Sequence, residues 1–187
     1  MILRFLSVSI VAALIAVLPF AWPSAARAQS QYVLYYADYG DWSVTCSRDM
    51  LSAQVACLLS APPPALTSAG EEARITVSAA QVNAPEIAFR LSGAVDPSKP
   101  VLGMVDSGSP VVTLSTRFGE GAWMGDEAAK LIDAMLKGRR LNLAWSVELD
   151  SNPRTASLSL VEFAAALEDY HLRLADYQGA PSSRRRP

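Results

Sequence analysis

Histidine, cysteine and unbroken apolar runs are scarce in this chain of 187 residues, and each scarcity closes a route to chemistry. There is one histidine, His171. A Ser–His–Asp triad would have to use it, and no Gly-x-Ser-x-Gly elbow is present to carry the serine. No Cys/His cluster completes a metal site, so no metal and no cofactor are expected. Gly119-Glu120-Gly121 is too short for a phosphate loop and runs on into Ala122-Trp123 rather than into a helix cap. Beyond Trp22 no segment is long and apolar enough to cross a bilayer as a helix, so the processed chain is not expected to span a membrane. Basic residues are also short: 16 lysines and arginines stand against 18 acidic residues. Such a balance lacks the basic footprint that nucleic acid requires.

What is present begins with an address. Met1-Ile2-Leu3-Arg4 is a short positive start, and Phe5 to Trp22 is apolar apart from Ser7, Ser9 and Pro19. Ala26-Arg27-Ala28 then offers small residues at the two positions that signal peptidase reads, with Pro19 and Pro23 breaking the helix ahead of it. Residues 1–28 are therefore expected to be a signal peptide cleaved after Ala28. That leaves 159 residues, enough for one domain with its own core. Arg4 and Arg27 depart with the signal, so 14 basic residues face 18 acidic ones.

Export changes the reading of Cys46 and Cys57. An even pair at short spacing in an oxidising compartment reads as a disulfide. Redox pairs usually stand as Cys-x-x-Cys, which this spacing is not. Trp42, Val44 and Cys46 alternate with polar residues, and 54–60 forms a second run. The two cysteines thus fall on neighbouring antiparallel strands. Pro62-Pro63-Pro64 ends the second run, and 62–70 reads as a mobile loop.

Further short alternating runs lie at 31–36, 72–80, 86–91, 101–105, 111–118, 141–149 and 154–160. Turn signals separate them, notably at Asp38-Tyr39-Gly40, 97–100 and 107–110. Asp126–Lys137 reads as a helix, with acidic residues at its start, Lys137 in its last turn and Gly138 as its C-cap. Phe163, Ala166, Leu167, Tyr170 and Leu174 give a second apolar helical face over 161–176. The chain is therefore expected to be mainly β: an antiparallel β-sandwich or barrel-like domain over 29–176, with one helix before the last hairpin and one at the C-terminus. Residues 177–187, with Arg184-Arg185-Arg186, read as a disordered basic tail.

Candidate functional residues are few. Asp106 lies in Asp-Ser-Gly, the setting of an aspartic-protease aspartate, but no second copy occurs and a turn role is expected. His171 sits among Asp169 and Arg173 on the last helix and reads as a surface residue. Glu71-Glu72 and Glu168-Asp169 are neighbours whose side chains should point apart. Tyr32, Tyr35, Tyr36 and Tyr39 read either as an edge strand whose rings cover the core or as a ligand or partner surface.

Gly40-Asp41-Trp42-Ser43-Val44-Thr45-Cys46, followed by Cys57 in the next strand, resembles the opening of the invasion-associated locus B proteins. Leu136-Lys137-Gly138, the hairpin after it, and Ser157-Leu158-Ser159-Leu160-Val161-Glu162-Phe163-Ala164-Ala165-Ala166-Leu167 are similar to that family's close. The resemblance spans roughly residues 40–170. The chain departs from it at 115–125, where members typically carry a second cysteine pair and this sequence has none. The resemblance implies a bacterial periplasmic or envelope-associated β-rich protein with no established enzymatic activity. Some members are linked to host-cell invasion, and none of these motifs marks a host-binding surface. The expectation is a non-catalytic module with an envelope protein as possible partner. The alternatives are a binder of small apolar molecules between the sheets, or a carboxylate-based hydrolase.

Overall fold

The computed structural model describes residues 31–61, 73–78, 85–150 and 152–178. The expected signal peptide, the proline loop, Glu71-Glu72 and the last nine residues lie outside these. Two antiparallel sheets account for the described strands. The first is ordered β1(Gln31–Tyr39), β2(Trp42–Asp49), β3(Val55–Ala61), β4(Ala73–Ser78), β5(Glu86–Leu91), β8(Glu120–Met124). The second is ordered β10(Arg154–Ser159), β9(Arg140–Trp145), β6(Val101–Val105), β7(Val111–Thr113). Two helices complete the fold: α1(Gly125–Lys137) and α2(Phe163–Gln178). The architecture is a β-sandwich with no closed barrel.

The alternation visible in the sequence maps onto the two faces of each sheet. Trp42, Val44 and Cys46 point inward from β2, and Ile75, Val77, Ile87 and Phe89 do so from β4 and β5. Val101, Leu141, Leu143, Trp145, Ala156 and Leu158 meet them from the second sheet. Burying each of these large side chains contributes roughly 1.5–3 kcal/mol.

Two tryptophans join the layers. The Trp42 indole N–H donates to the Ser159 carbonyl at 2.9 Å, and its ring meets Phe163 of α2 with centroids 4.7 Å apart. The Trp123 indole N–H donates to the Val111 carbonyl at 3.2 Å, and its ring meets Phe89 at 4.9 Å. Each acceptor spares its indole N–H the cost of about 1–3 kcal/mol that an unpaired donor in the core carries.

Cys46 stands directly opposite Cys57 in the β2–β3 register, their Cα atoms 4.0 Å apart, and the two are disulfide-bonded.

Five expectations shift. The run at 111–118 is not one strand: β7 stops at Thr113, the chain turns at 117–119, and β8 follows. Gly119 makes the turn possible at φ 74°, where an added Cβ would collide with the Leu91 carbonyl. The run at 141–149 ends at Trp145, with Val147 surviving only as an isolated bridge to Val95. Gly138 closes α1 as expected, but in extended rather than left-handed backbone, with φ −96°. Its lack of a side chain serves close approach to Val105. In the first and last described elements, β1 continues through Asp38 and Tyr39 before turning, and α2 runs on through Gln178.

Asp106 is a turn residue with a structural task. It occupies the left-handed region at φ 49°. Its carboxylate accepts the backbone N–H groups of Arg139 and Arg140, each at 3.0 Å. It therefore clamps the β6–β7 turn to the start of β9. Asp106→Ala should lower unfolding free energy by about 1–3 kcal/mol in denaturant titration, because two backbone donors lose a charged acceptor. Replacing both cysteines by alanine should lower it by about 3 kcal/mol, from the restored freedom of the unfolded chain.

Candidate functional site

A packed sandwich leaves its outward-facing strand positions as the places where a ligand can be met. Most of these on the first sheet are polar: Ser43, Thr45, Ser60, Thr76 and Arg90. The second sheet differs. Its inward residues are Val101, Gly103 and Val105 on β6, and Leu141, Leu143 and Trp145 on β9. Period-2 geometry therefore turns Leu102, Met104, Asn142 and Ala144 outward. The register sets them in two rungs across the sheet. Met104 lies opposite Asn142, which lies opposite Ser157; Leu102 lies opposite Ala144, which lies opposite Thr155.

Large side chains on β6 beside small ones on β9 and β10 make this face concave. A groove of about 450 Å³ results, with Pro110 also on its wall. Its floor is apolar, the Thr155 and Ser157 hydroxyls border one side, and the Asn142 amide stands among them. That amide is held in place by donating to the Asp106 carbonyl at 3.2 Å. Leu131 of α1 approaches β6 at Gly103, on the opposite, buried face. The chemistry available is burial of an apolar body with a few oriented hydrogen bonds, the usual composition of a binding site. Sequence reading missed this site because its residues come from three strands and each is unremarkable alone.

The tyrosine strand divides in two. A register shift between Val33 and Tyr35 re-aims the strand after its first residues. Tyr35 and Tyr39 pack against the core, whereas Tyr32 and Tyr36 are exposed. The core-covering reading thus holds for Tyr35 and Tyr39, while Tyr32 and Tyr36 stand outside it. Arg173 of α2 lies over the Tyr35 ring, 4.2 Å from its centroid, and its Nε donates to Asp169 Oδ1 at 3.1 Å. This cluster joins the edge strand to the last helix through a cation–π contact and an ion pair. Asp169 is buried while its neighbour Glu168 is exposed, so the two carboxylates diverge as expected. His171 is exposed, its ring 5.4 Å from that of Tyr170. Among the described residues no group of three or more His, Cys, Asp or Glu side chains could hold a metal ion.

Burial, with the Tyr35 hydroxyl and the Asp169 charge close by, pushes the Tyr39 phenol up to about 12. The fold therefore favours the neutral phenol over the phenolate. That contribution to stability is whole below pH 10, the ordinary tyrosine value, and is lost as pH rises towards about 12. Ultraviolet titration of the native chain and of Tyr39→Phe should differ by one phenol ionising towards about pH 12, which the variant lacks.

No protein-family model matches this chain. No curated protein matches it in sequence. Among solved structures, the chain is similar to the crystal structure of invasion associated protein B from Bartonella henselae. The TM-score is 0.59 at 19% sequence identity, over 78% of this chain and 99% of that one. At that identity the likeness is one of fold: this sandwich has an invasion-associated-protein-B-like architecture.

Proposed function

We propose that the chain is an exported, non-catalytic binding module of the invasion-associated locus B type, which meets an envelope protein through the groove on its second sheet. The observation that carries this reading is an open apolar groove outside a filled interior. Trp42, Trp123, Trp145, Phe163 and Tyr170 are all fully buried between the layers. An apolar ligand between the sheets would have to displace them. The groove over Leu102, Met104 and Ala144 needs no such displacement. The disulfide and the fold likeness support export to an oxidising compartment such as the periplasm. The second reading, a small apolar molecule in the same groove, is favoured by its volume, which lies in the usual range for small-ligand sites.

Photocrosslinking in living cells distinguishes the two. A photoactivatable residue at Met104 or Ala144 should yield one recurring protein adduct that is absent when the probe stands at Ala165 or Glu168 on α2. Leu102→Asp should reduce that adduct at least about tenfold, as expected for a charge placed in an apolar contact. Equal adducts from both faces would overturn the proposal. A small molecule retained by the purified protein and lost in Leu102→Asp, with no groove-specific adduct, would establish the second reading instead.

A further inference from the structure

Three loops are stitched together at one end of the sandwich. Leu91 donates its N–H to the Gly119 carbonyl at 2.9 Å, Asp96 to Ser146 at 3.0 Å, and Glu148 to Ala94 at 2.8 Å. The Arg117 guanidinium lies 3.3 Å from the Glu148 carboxylate. Loops 92–96, 116–119 and 146–150 thus form one surface. Two large apolar side chains project from it: Phe118, 79% exposed, and Leu149, 108% exposed. Leu149 also stands in the left-handed region at φ 66°. That backbone is unfavourable for a leucine, so the chain bears strain where it presents an apolar group to water.

The same end carries a pocket of about 240 Å³ lined by Arg74, Arg90, Leu91 and Ser92. Arg74 and Arg90 are directly opposite one another on β4 and β5. Like charges so placed repel unless an anion lies near. Arg90 has Glu120 at 3.6 Å. Among the described residues no carboxylate pairs with Arg74. Two arginines lining one pocket offer donors that match the oxygens of a phosphate.

We propose that this end docks on a phospholipid bilayer. Phe118 and Leu149 enter the acyl boundary separately, and the Arg74–Arg90 pocket takes a headgroup phosphate. A bilayer fits better than a protein partner because each apolar tip has charged neighbours in the chain. Arg117 precedes Phe118, and Glu148 and Asp150 bracket Leu149, so among the described residues these two loops present no apolar run of the kind a protein interface core uses. A bilayer accepts single side chains, while nearby arginine stems let their charged heads remain among the headgroups.

The test is co-sedimentation with vesicles of phosphatidylethanolamine and phosphatidylglycerol. The chain is begun at Gln29, because the apolar run before it would bind vesicles by itself, and every described strand and helix is retained. The native chain should sediment with the vesicles. Phe118→Ser and Leu149→Ser should each weaken binding about tenfold, the effect of removing one large apolar side chain. Leu149→Phe should retain it, and the Arg74→Gln/Arg90→Gln pair should weaken it. Val161→Ser and Leu172→Ser remove exposed apolar groups elsewhere and should leave binding unchanged, with circular dichroism confirming the fold of every variant. The proposal is overturned if the native chain stays in the supernatant. It is equally overturned if the two control variants lose as much as the tip variants, or if the tips crosslink to a protein while vesicle binding is unaltered.

Discussion

Two indole N–H groups hold the layers of this sandwich in register. Trp42 reaches from the first sheet to the Ser159 carbonyl at the end of β10, and Trp123 reaches to the Val111 carbonyl on β7. Hydrophobic burial alone is non-directional and would tolerate sliding of one sheet over the other. A hydrogen bond from a large buried ring tolerates little, because moving it strands the N–H in an apolar interior. Helix α2 depends on the same device, since Phe163 at its start packs on the Trp42 ring. The Cys46–Cys57 bridge complements this by tying β2 to β3 within one sheet, leaving the indoles to act between sheets.

A core filled by so many large rings moves recognition to the outside. The groove over β6, β9 and β10 and the stitched loop end are different kinds of surface. One is concave, apolar-floored and rigid through its ladder. The other presents two isolated side chains on a polar rim, beside two opposed guanidinium groups. Together they give one small domain two faces with separate chemistries.

The sequence disclosed whatever depends on neighbouring residues. Alternation revealed most strands, the apolar spacing revealed both helices, and the short spacing of two cysteines on neighbouring strands, with export expected, revealed the bridge. It concealed whatever depends on distance along the chain. β8 escaped because Gly121 interrupts the alternation that Trp123 alone cannot announce, and because its partner β5 lies some thirty residues earlier. The groove escaped for the same reason, since Leu102, Asn142 and Thr155 become neighbours only through pairing. The split among the tyrosines follows from period-2 alternation within β1, since Tyr35 and Tyr39 stand opposite the buried Cys46 and Trp42 and Tyr36 opposite Thr45. Asp106 was legible as a turn residue, but not as a clamp on the backbone of Arg139 and Arg140.

The irregularity at Leu34 bears on how this chain coexists with its own copies. Strand β1 forms an outer boundary of the first sheet, where unpaired backbone groups would otherwise template a neighbour. A folding chain meets identical chains, each offering the same boundary. The register shift between Val33 and Tyr35 breaks the even spacing that a second strand would need. Arg173 seated on the Tyr35 ring draws the same stretch towards α2. One extra residue thus makes this boundary a poorer template for a shared sheet.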